Sequence, residues 1–510
     1  MAFQFIVDVL SYFSQFSIMS FILVITVCVL LHHIFFSKRY YPPLPPTPKF
    51  KLPLIGHLHL LERDMRKPFK KYRKSFGDVY SLYFGGKLVI VLSGYETLKE
   101  AFLKNGEVLC RQTKPVHYRK IVCTICFIIV GLVLATGAQW REHRRFALST
   151  LKDFGMGKSK LEGKIQEEAM SLLSQIENFK GDPFDPKDII STNVGNIICS
   201  MLFKGQFSHD DQRFLGMIKL MEENITSAAG LANLMPWLAE FPGDPLNCKK
   251  MISNADKVYE FIEDIIDEHV NEFDENDIDD LTSAYIKELR FKESTGEETT
   301  MSLKQLSGVI ADLFIAGSHT TTATLRWAII CLVQYPDIQE RIYKLLCSSI
   351  GTQRLPSSTD KTSLAYLEAF YLEVLRFCCI STSSGVHSTT RDFTFKGYTI
   401  PKEAVIIADF DSALSDPATW QDPEVFRPER FLDDNGNVRK REENITFFLG
   451  KRSCIGESLA RAELLIFLGA LVQKFRLESP ENETVSVEHL DGVFALVHIP
   501  KPYKIIAIPR

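Results

Sequence analysis

The chain has 510 residues, 45% of them hydrophobic and 24% charged, with a formal net charge of −4. Acids slightly outnumber bases, which leaves no case for a polyanion-binding surface or a nucleic-acid partner, and the length alone would allow about three domains. Eleven cysteines, an odd number without paired spacings, argue against an oxidising compartment and a disulfide framework.

Residues Phe16 to Phe36 run for 21 positions without a charge. As a helix they would reach roughly 30 Å, enough to cross a bilayer core. Lys38 and Arg39 follow at once and no basic residue precedes the run. The positive-inside rule therefore puts residues 1–15 in the lumen, residues 16–36 in the membrane and the bulk of the chain in the cytosol. A cleaved signal peptide fits less well, since there is no basic leader and no small-x-small site before Lys38. Residues 37–56 form a basic, proline-rich hinge around Pro42-Pro43-Leu44-Pro45-Pro46-Thr47-Pro48. Prolines at this density hold a stiff, extended spacer, leaving 57–510 as the globular part.

Strands are expected at Val79 to Phe84, Leu88 to Ser93 and Tyr503 to Ile508, and most of what lies between reads as helix. A second uncharged run, Ile121 to Ala135, is too short for a span and reads as buried or substrate-facing. Its Cys123-x-x-Cys126 pair has no second pair and no histidine, so two small core residues is the better account than a metal site. The acidic stretch Glu263 to Asp280 reads as a solvated helix end and loop. The longest helix opens at Ser302, where Ser302-x-x-Gln305 has capping-box form, and runs to Tyr335 ahead of Pro336. In its middle, Ala316-Gly317-Ser318-His319-Thr320-Thr321 places Ala316 and Thr320 on one face with Gly317 beside them. A notch with a hydroxyl at its edge would admit a flat cofactor, although small residues also mark plain helix crossings.

The segment that carries chemistry is Phe447-Phe448-Leu449-Gly450-Lys451-Arg452-Ser453-Cys454-Ile455-Gly456, followed by a helix-like run from Glu457. A cysteine between glycines just before a helix is suited to exist as thiolate, because the helix amino terminus and Arg452 both favour the anion. Thiolate ligation to haem iron favours O–O cleavage, and Arg452 can meet a haem propionate. The segment resembles the haem-binding signature of the cytochrome P-450 family, F-x-x-G-x-R-x-C-x-G, at every fixed position. The resemblance continues through Trp140-x-x-x-Arg144, Glu373-x-x-Arg376 and Pro428-Glu429-Arg430-Phe431, and is strongest to family 2 and its microsomal clan.

That resemblance implies a mainly α fold with a small β region, a single large domain behind an N-terminal transmembrane helix in the endoplasmic reticulum. It implies haem b held by Cys454 through its iron, with Phe447, Ala316 and Gly317 against the macrocycle. Trp140, Arg144, His387, Arg452 and Arg111 are implied partners of the propionates. Glu373, Arg376 and Arg430 are implied members of a buried structural charge network. The implied reaction is monooxygenation of a lipophilic substrate, with electrons from NADPH through NADPH-cytochrome P-450 reductase and with cytochrome b5 as a further candidate donor. Thr320 and the residue before it are the implied oxygen-activating pair, but His319 stands where the family carries Asp or Glu. An imidazole buried beside haem is expected to relay protons poorly near neutral pH and to uncouple the cycle. Leu44 replaces a usual glycine, and Ser381 to Gly385 lacks the usual prolines. Two other classes stay open at this stage: a reductase-independent enzyme rearranging peroxides or endoperoxides, and a non-catalytic haem protein that binds lipid or gas.

Overall fold

The computed structural model describes residues 43–52, 55–62, 64–109, 111–112, 131–154, 159–205, 207–226, 243–244, 246–481, 485, 487, 492–494 and 497–510, together with helical positions Ser20, Leu23, Thr26 and Val27. The rest of the expected membrane run 16–36 lies outside the described residues, as does 121–130 with its cysteine pair. Among the described residues no helix is long and apolar enough to cross a membrane.

The longer helices in chain order are α1 Arg66–Phe76, α2 Gly137–Asp153, α3 Ser159–Glu177, α4 Lys187–Phe203, α5 Gln212–Thr226, α6 Cys248–Asn271, α7 Leu281–Thr295, α8 Leu303–Gln334, α9 Pro336–Ser349, α10 Ala365–Cys378 and α11 Glu457–Lys474. The strands are β1 Val79–Phe84, β2 Lys87–Ser93, β3 Arg111–Gln112, β4 His387–Ser388, β5 Phe393–Phe395, β6 Tyr398–Ile400, β7 Val405–Asp409, β8 Phe475–Glu478, β9 Gly492–Phe494, β10 His498–Pro500 and β11 Ile506–Pro509. Five of them form one sheet in the order β1-β2-β7-β4-β3, in which only β2 and β7 run parallel. β2 is buried from Val89 to Ser93 and reads as an unbroken apolar run, as a strand covered on both faces does.

α8 passes through the middle of the main core and is buried on nearly every side, which is why its sequence is apolar all round. Ser302 caps it by accepting the Gln305 amide at 3.2 Å. The reciprocal half of the expected capping box is missing, because the Gln305 side chain bonds Gln139 instead. Pro336 ends α8 and opens α9, where its lost N–H would have no helical partner. The acidic stretch is only partly solvated: Asp280 is buried, caps α7 through the Ser283 amide and pairs with His269 at 3.2 Å.

The proline hinge is part of the domain from Pro43 onward. The Pro43 carbonyl accepts from the Thr399 amide at 2.9 Å, Pro45 from the Ser81 hydroxyl at 2.8 Å and Pro46 from the Ser81 amide at 2.7 Å. Prolines lack a donor but keep their carbonyls, so an extended proline run can still be stitched to a sheet edge.

The expected charge network is present, with Glu373 and Arg376 buried. Arg376 grips both carboxylate oxygens of Glu373, at 2.7 and 2.8 Å, and reaches the carbonyls of Leu414 and Pro423. Glu373 also accepts the Arg427 amide. Arg430 Nε stands 3.4 Å from Glu373 without hydrogen-bond alignment, while its two terminal nitrogens bind the carbonyls of Trp420, Gln421, Asp422 and Val425.

Candidate functional site

The residues from Phe447 to Gly456 form a loop held open toward the centre of the molecule. Phe448 and Gly450 adopt positive φ, +63° and +72°. A Cβ on Gly450 would stand 2.4 Å from the Phe102 carbonyl oxygen, so both the backbone conformation and the contact require glycine. The Cys454 amide then folds back onto the Phe447 carbonyl at 2.8 Å, and α11 starts three residues later. Gly450→Ala is expected to lower stability by about 2 kcal/mol or more, since it combines overpacking with a disfavoured φ. Denaturant unfolding followed by circular dichroism reads this directly, and a midpoint like the wild type's would refute the assignment.

Cys454 opens onto a cavity of about 380 Å³. Ala316 and Thr320 of α8 and Leu132, Leu375, Phe447 and Leu459 are among its walls. The Thr320 hydroxyl donates to the Ala316 carbonyl at 2.6 Å, so its oxygen faces the cavity as an acceptor. Ala316 and Thr320 thus share the cavity face, as the spacing required. Gly317 also borders the cavity, but a Cβ there would meet Ile198 Cδ1 at 2.5 Å. Its missing side chain therefore serves the close crossing of α4 and α8, the plainer of the two roles the sequence allowed.

Cations gather at one part of this cavity. Arg144 donates to the Ser453 carbonyl at 2.6 Å, and Arg452 donates to the Val133 and Ala135 carbonyls while lying 4.0 Å from the Trp140 ring centre. His387, from β4, packs its ring between Phe102 and Phe448 and leaves Nδ1 buried without a partner. Burial, and then Arg452, pull its pKa down to about 4. The Arg111 backbone pairs with Ser388 in β3, beside His387, and its side chain lies outside the described residues. The loop from Ser381 to Gly385 keeps its course past the cavity without prolines: the Ser384 amide bonds the Ala408 carbonyl, and its hydroxyl accepts the Ala408 amide.

These residues fit a haem. A thiol faces an apolar cavity, an orphaned imidazole nitrogen and two guanidinium groups border it, and α8 presents the small side chains of Ala316, Gly317 and Thr320 to it. A Cβ on Gly456 would point into the space before the thiol, 4.0 Å from Sγ and near nothing else. Burial pushes the haem-free Cys454 thiol up, while the Gly456 amide and Arg144 pull it down.

A correction concerns His319, expected as Thr320's partner. It lines a different cavity, on another face of α8, with Lys187 and Arg326. One residue along a helix turns the side chain by about 100°. Burial, with a smaller push from Lys187, lowers its pKa to about 4. Two acids that sequence reasoning passed over border the thiol cavity instead. Asp312 accepts the amides of Leu132 and Val133, at 2.6 and 2.7 Å, and so fixes the strip whose carbonyls hold Arg452. Glu463 of α11 accepts the Thr321 hydroxyl at 2.9 Å, keeps Oε1 unpartnered, and is pushed by burial to about 8. Both are lone acids inside apolar helical runs, which is the signal that could have found them.

Comparison with known proteins agrees over nearly the whole chain. The family model described as cytochrome P450 matches residues 45–507. The chain is 34% identical to cytochrome P450 2E1 of Rattus norvegicus over 475 residues, 92% of this chain and 94% of that protein. It is 34% identical to cytochrome P450 2C23 of the same species over 491 residues, 95% of this chain and 97% of that one. With cytochrome P450 2C8 of Homo sapiens it shares 33% over 483 residues, 92% and 95% of the two chains.

Proposed function

The chain belongs to the cytochrome P450 family of haem-thiolate monooxygenases, and from that premise we propose that Cys454 holds the haem iron and that a lipophilic substrate is oxidised in the cavity above it. The carrying observation is the Cys454 thiol opening on that cavity with Ala316 and Thr320 facing it from α8. Bound there, haem supplies the iron at which one atom of dioxygen enters the substrate and the other leaves as water. Trp140, Arg144, Arg452 and His387 would hold its propionates. The apolar walls bind and orient substrate and keep water out.

Proton handling falls to residues that face this cavity. Glu463 stays protonated near neutral pH, and Oε1, the oxygen without a protein partner, can carry that proton toward the cavity. Thr321 holds the other oxygen in place, and Thr320 borders the same cavity. His319, turned elsewhere, takes no part; the missing acid before Thr320 was the motive for a peroxide-rearranging enzyme, and Thr320 on the cavity wall and Glu463 beside it support the monooxygenase instead. Electrons come from NADPH through NADPH-cytochrome P-450 reductase, with cytochrome b5 as a second donor, and the site of action is the endoplasmic reticulum membrane. Similarity to family 2 relatives and the charge-free run 16–36 support that part of the reading.

The deciding assay offers a panel of fatty acids, steroids and xenobiotics with reductase plus NADPH, with peroxide alone, or with neither. Product is expected only in the first. Glu463→Gln should lower product formed per NADPH consumed, with kcat falling about tenfold or more. His319→Asp should leave that ratio alone. The Glu463 carboxyl has an independent signature in stability. Its folded pKa lies above its ordinary value, so its contribution is full below that ordinary value and is lost as pH rises through about 8. Glu463→Gln should flatten that decline in a denaturant series against pH. Unchanged coupling together with an unchanged pH profile would exclude the role.

A further inference from the structure

The cavity that receives His319, about 310 Å³, shares no lining residue with the thiol cavity. His319, Thr322 and Arg326 stand on one stripe of α8, at the i, i+3 and i+7 spacing of a single helix face. Each presents a buried polar atom without a hydrogen-bond partner: His319 Nε2, Thr322 Oγ1 and Arg326 Nε. Buried polar groups are nearly always satisfied, and three of the eight exceptions among the described residues meet in this one space.

Arg326 is 2% exposed, and among the described residues no carboxylate pairs with it. Among the described residues its guanidinium donates to the Lys501 carbonyl, at 3.3 Å, and lies over the Tyr503 ring, 5.5 Å from its centre. The two glutamates lining the cavity are already engaged, Glu222 by Lys187 at 2.5 Å and Glu223 by Lys250 at 3.0 Å. A guanidinium is always charged, and a buried charge without a counter-ion is costly. Burial keeps the His319 ring neutral, so it offers a hydrogen bond rather than a rival positive charge. The remaining wall is apolar, with Ile225, Ala323 and Ile499, while the exposed Lys219 borders the cavity and would draw in an anion.

We propose that this second cavity binds a small organic carboxylate, its oxygens on Arg326, Thr322 and His319 and its short chain against Ile225, Ala323 and Ile499. A halide or phosphate would supply the charge but leave the apolar wall uncovered.

The test is calorimetric titration of the haem-loaded full chain with sodium butyrate, with the haem absorbance recorded alongside. One butyrate per chain is expected, with no change in the Soret band. His319→Asp adds an internal carboxylate to the cavity wall and should weaken butyrate about tenfold or more. Arg326→Gln should weaken it by a similar factor, and Thr322→Val by less. His319→Asp and Thr322→Val guard against an Arg326 variant that fails to fold, since haem content and circular dichroism report whether they are intact. The proposal falls if the wild type does not bind butyrate, or if binding persists unchanged in intact His319→Asp and Thr322→Val. It falls equally if the Soret band moves with butyrate, or if chloride or phosphate binds as tightly.

Discussion

Cys454→Ala is expected to abolish the red-shifted Soret band that the reduced, carbon monoxide-treated protein gives when a thiolate holds the haem iron. The loss should be complete, because among the described cavity residues Cys454 alone carries a thiol. Alanine keeps the backbone bond from residue 454 to the Phe447 carbonyl, and Phe448 and Gly450 keep their turn. The variant should therefore fold, with a far-ultraviolet spectrum like the wild type's. Its cationic cavity edge remains, so any haem it retains should show the band of a histidine-bound or weakly ligated iron. A persisting red-shifted band would falsify the ligand assignment.

The second large effect lies away from the chemistry. Arg376→Ala strands the Glu373 carboxylate, which is wholly buried and otherwise holds only the Arg427 amide and a poorly aligned Arg430. Breaking a buried pair by removing one partner costs about 3–5 kcal/mol, a large share of any domain's stability. The carbonyls of Leu414 and Pro423 lose their donor as well. Arg376→Ala should therefore accumulate as unfolded or haem-free protein, and denaturant titration of the soluble fraction should show the lowered midpoint. Arg376→Lys keeps the charge but neither the two-point grip nor both carbonyl contacts, and should recover only part of the loss. Replacing both partners with Leu and Met of similar volume should do better than Arg376→Ala, because the buried carboxylate is then removed with its partner, and the loss of Glu373 beside Arg430 should keep the double variant below the wild type. Equal midpoints for wild type and Arg376→Ala would show that the network carries no stability.

The sequence revealed what chemistry holds to fixed spacing. Gly450, Arg452 and Cys454 sit within five residues, and their loop is local, so its geometry follows from its own residues. β1 appeared with the bounds expected, and α8 within a residue of them, because a period of two and a capped helix are both local patterns. Rotation of a buried helix is not local. Whether His319 or Thr320 meets the thiol cavity depends on where α4, α6 and α11 press against α8, which is buried on nearly every side. Its polar residues fall on more than one face, Asp312 and Thr320 on one and His319, Thr322 and Arg326 on another, so the pattern alone did not orient it. Glu463 and Asp312 went unnoticed for the same reason, since each takes its meaning from a partner far along the chain: Thr321 for one, Leu132 and Val133 for the other.

The stitched proline segment makes the front of the domain a load path. The carbonyls of Pro43, Pro45 and Pro46 are tied to Thr399 and Ser81, so the segment is fastened to two strands and not to one. Ser81 belongs to β1, and from β1 the ladder runs through β2 and β7 to β4, which carries His387. The seat of the proline segment is thus joined, strand by strand, to the edge of the cavity that His387 borders.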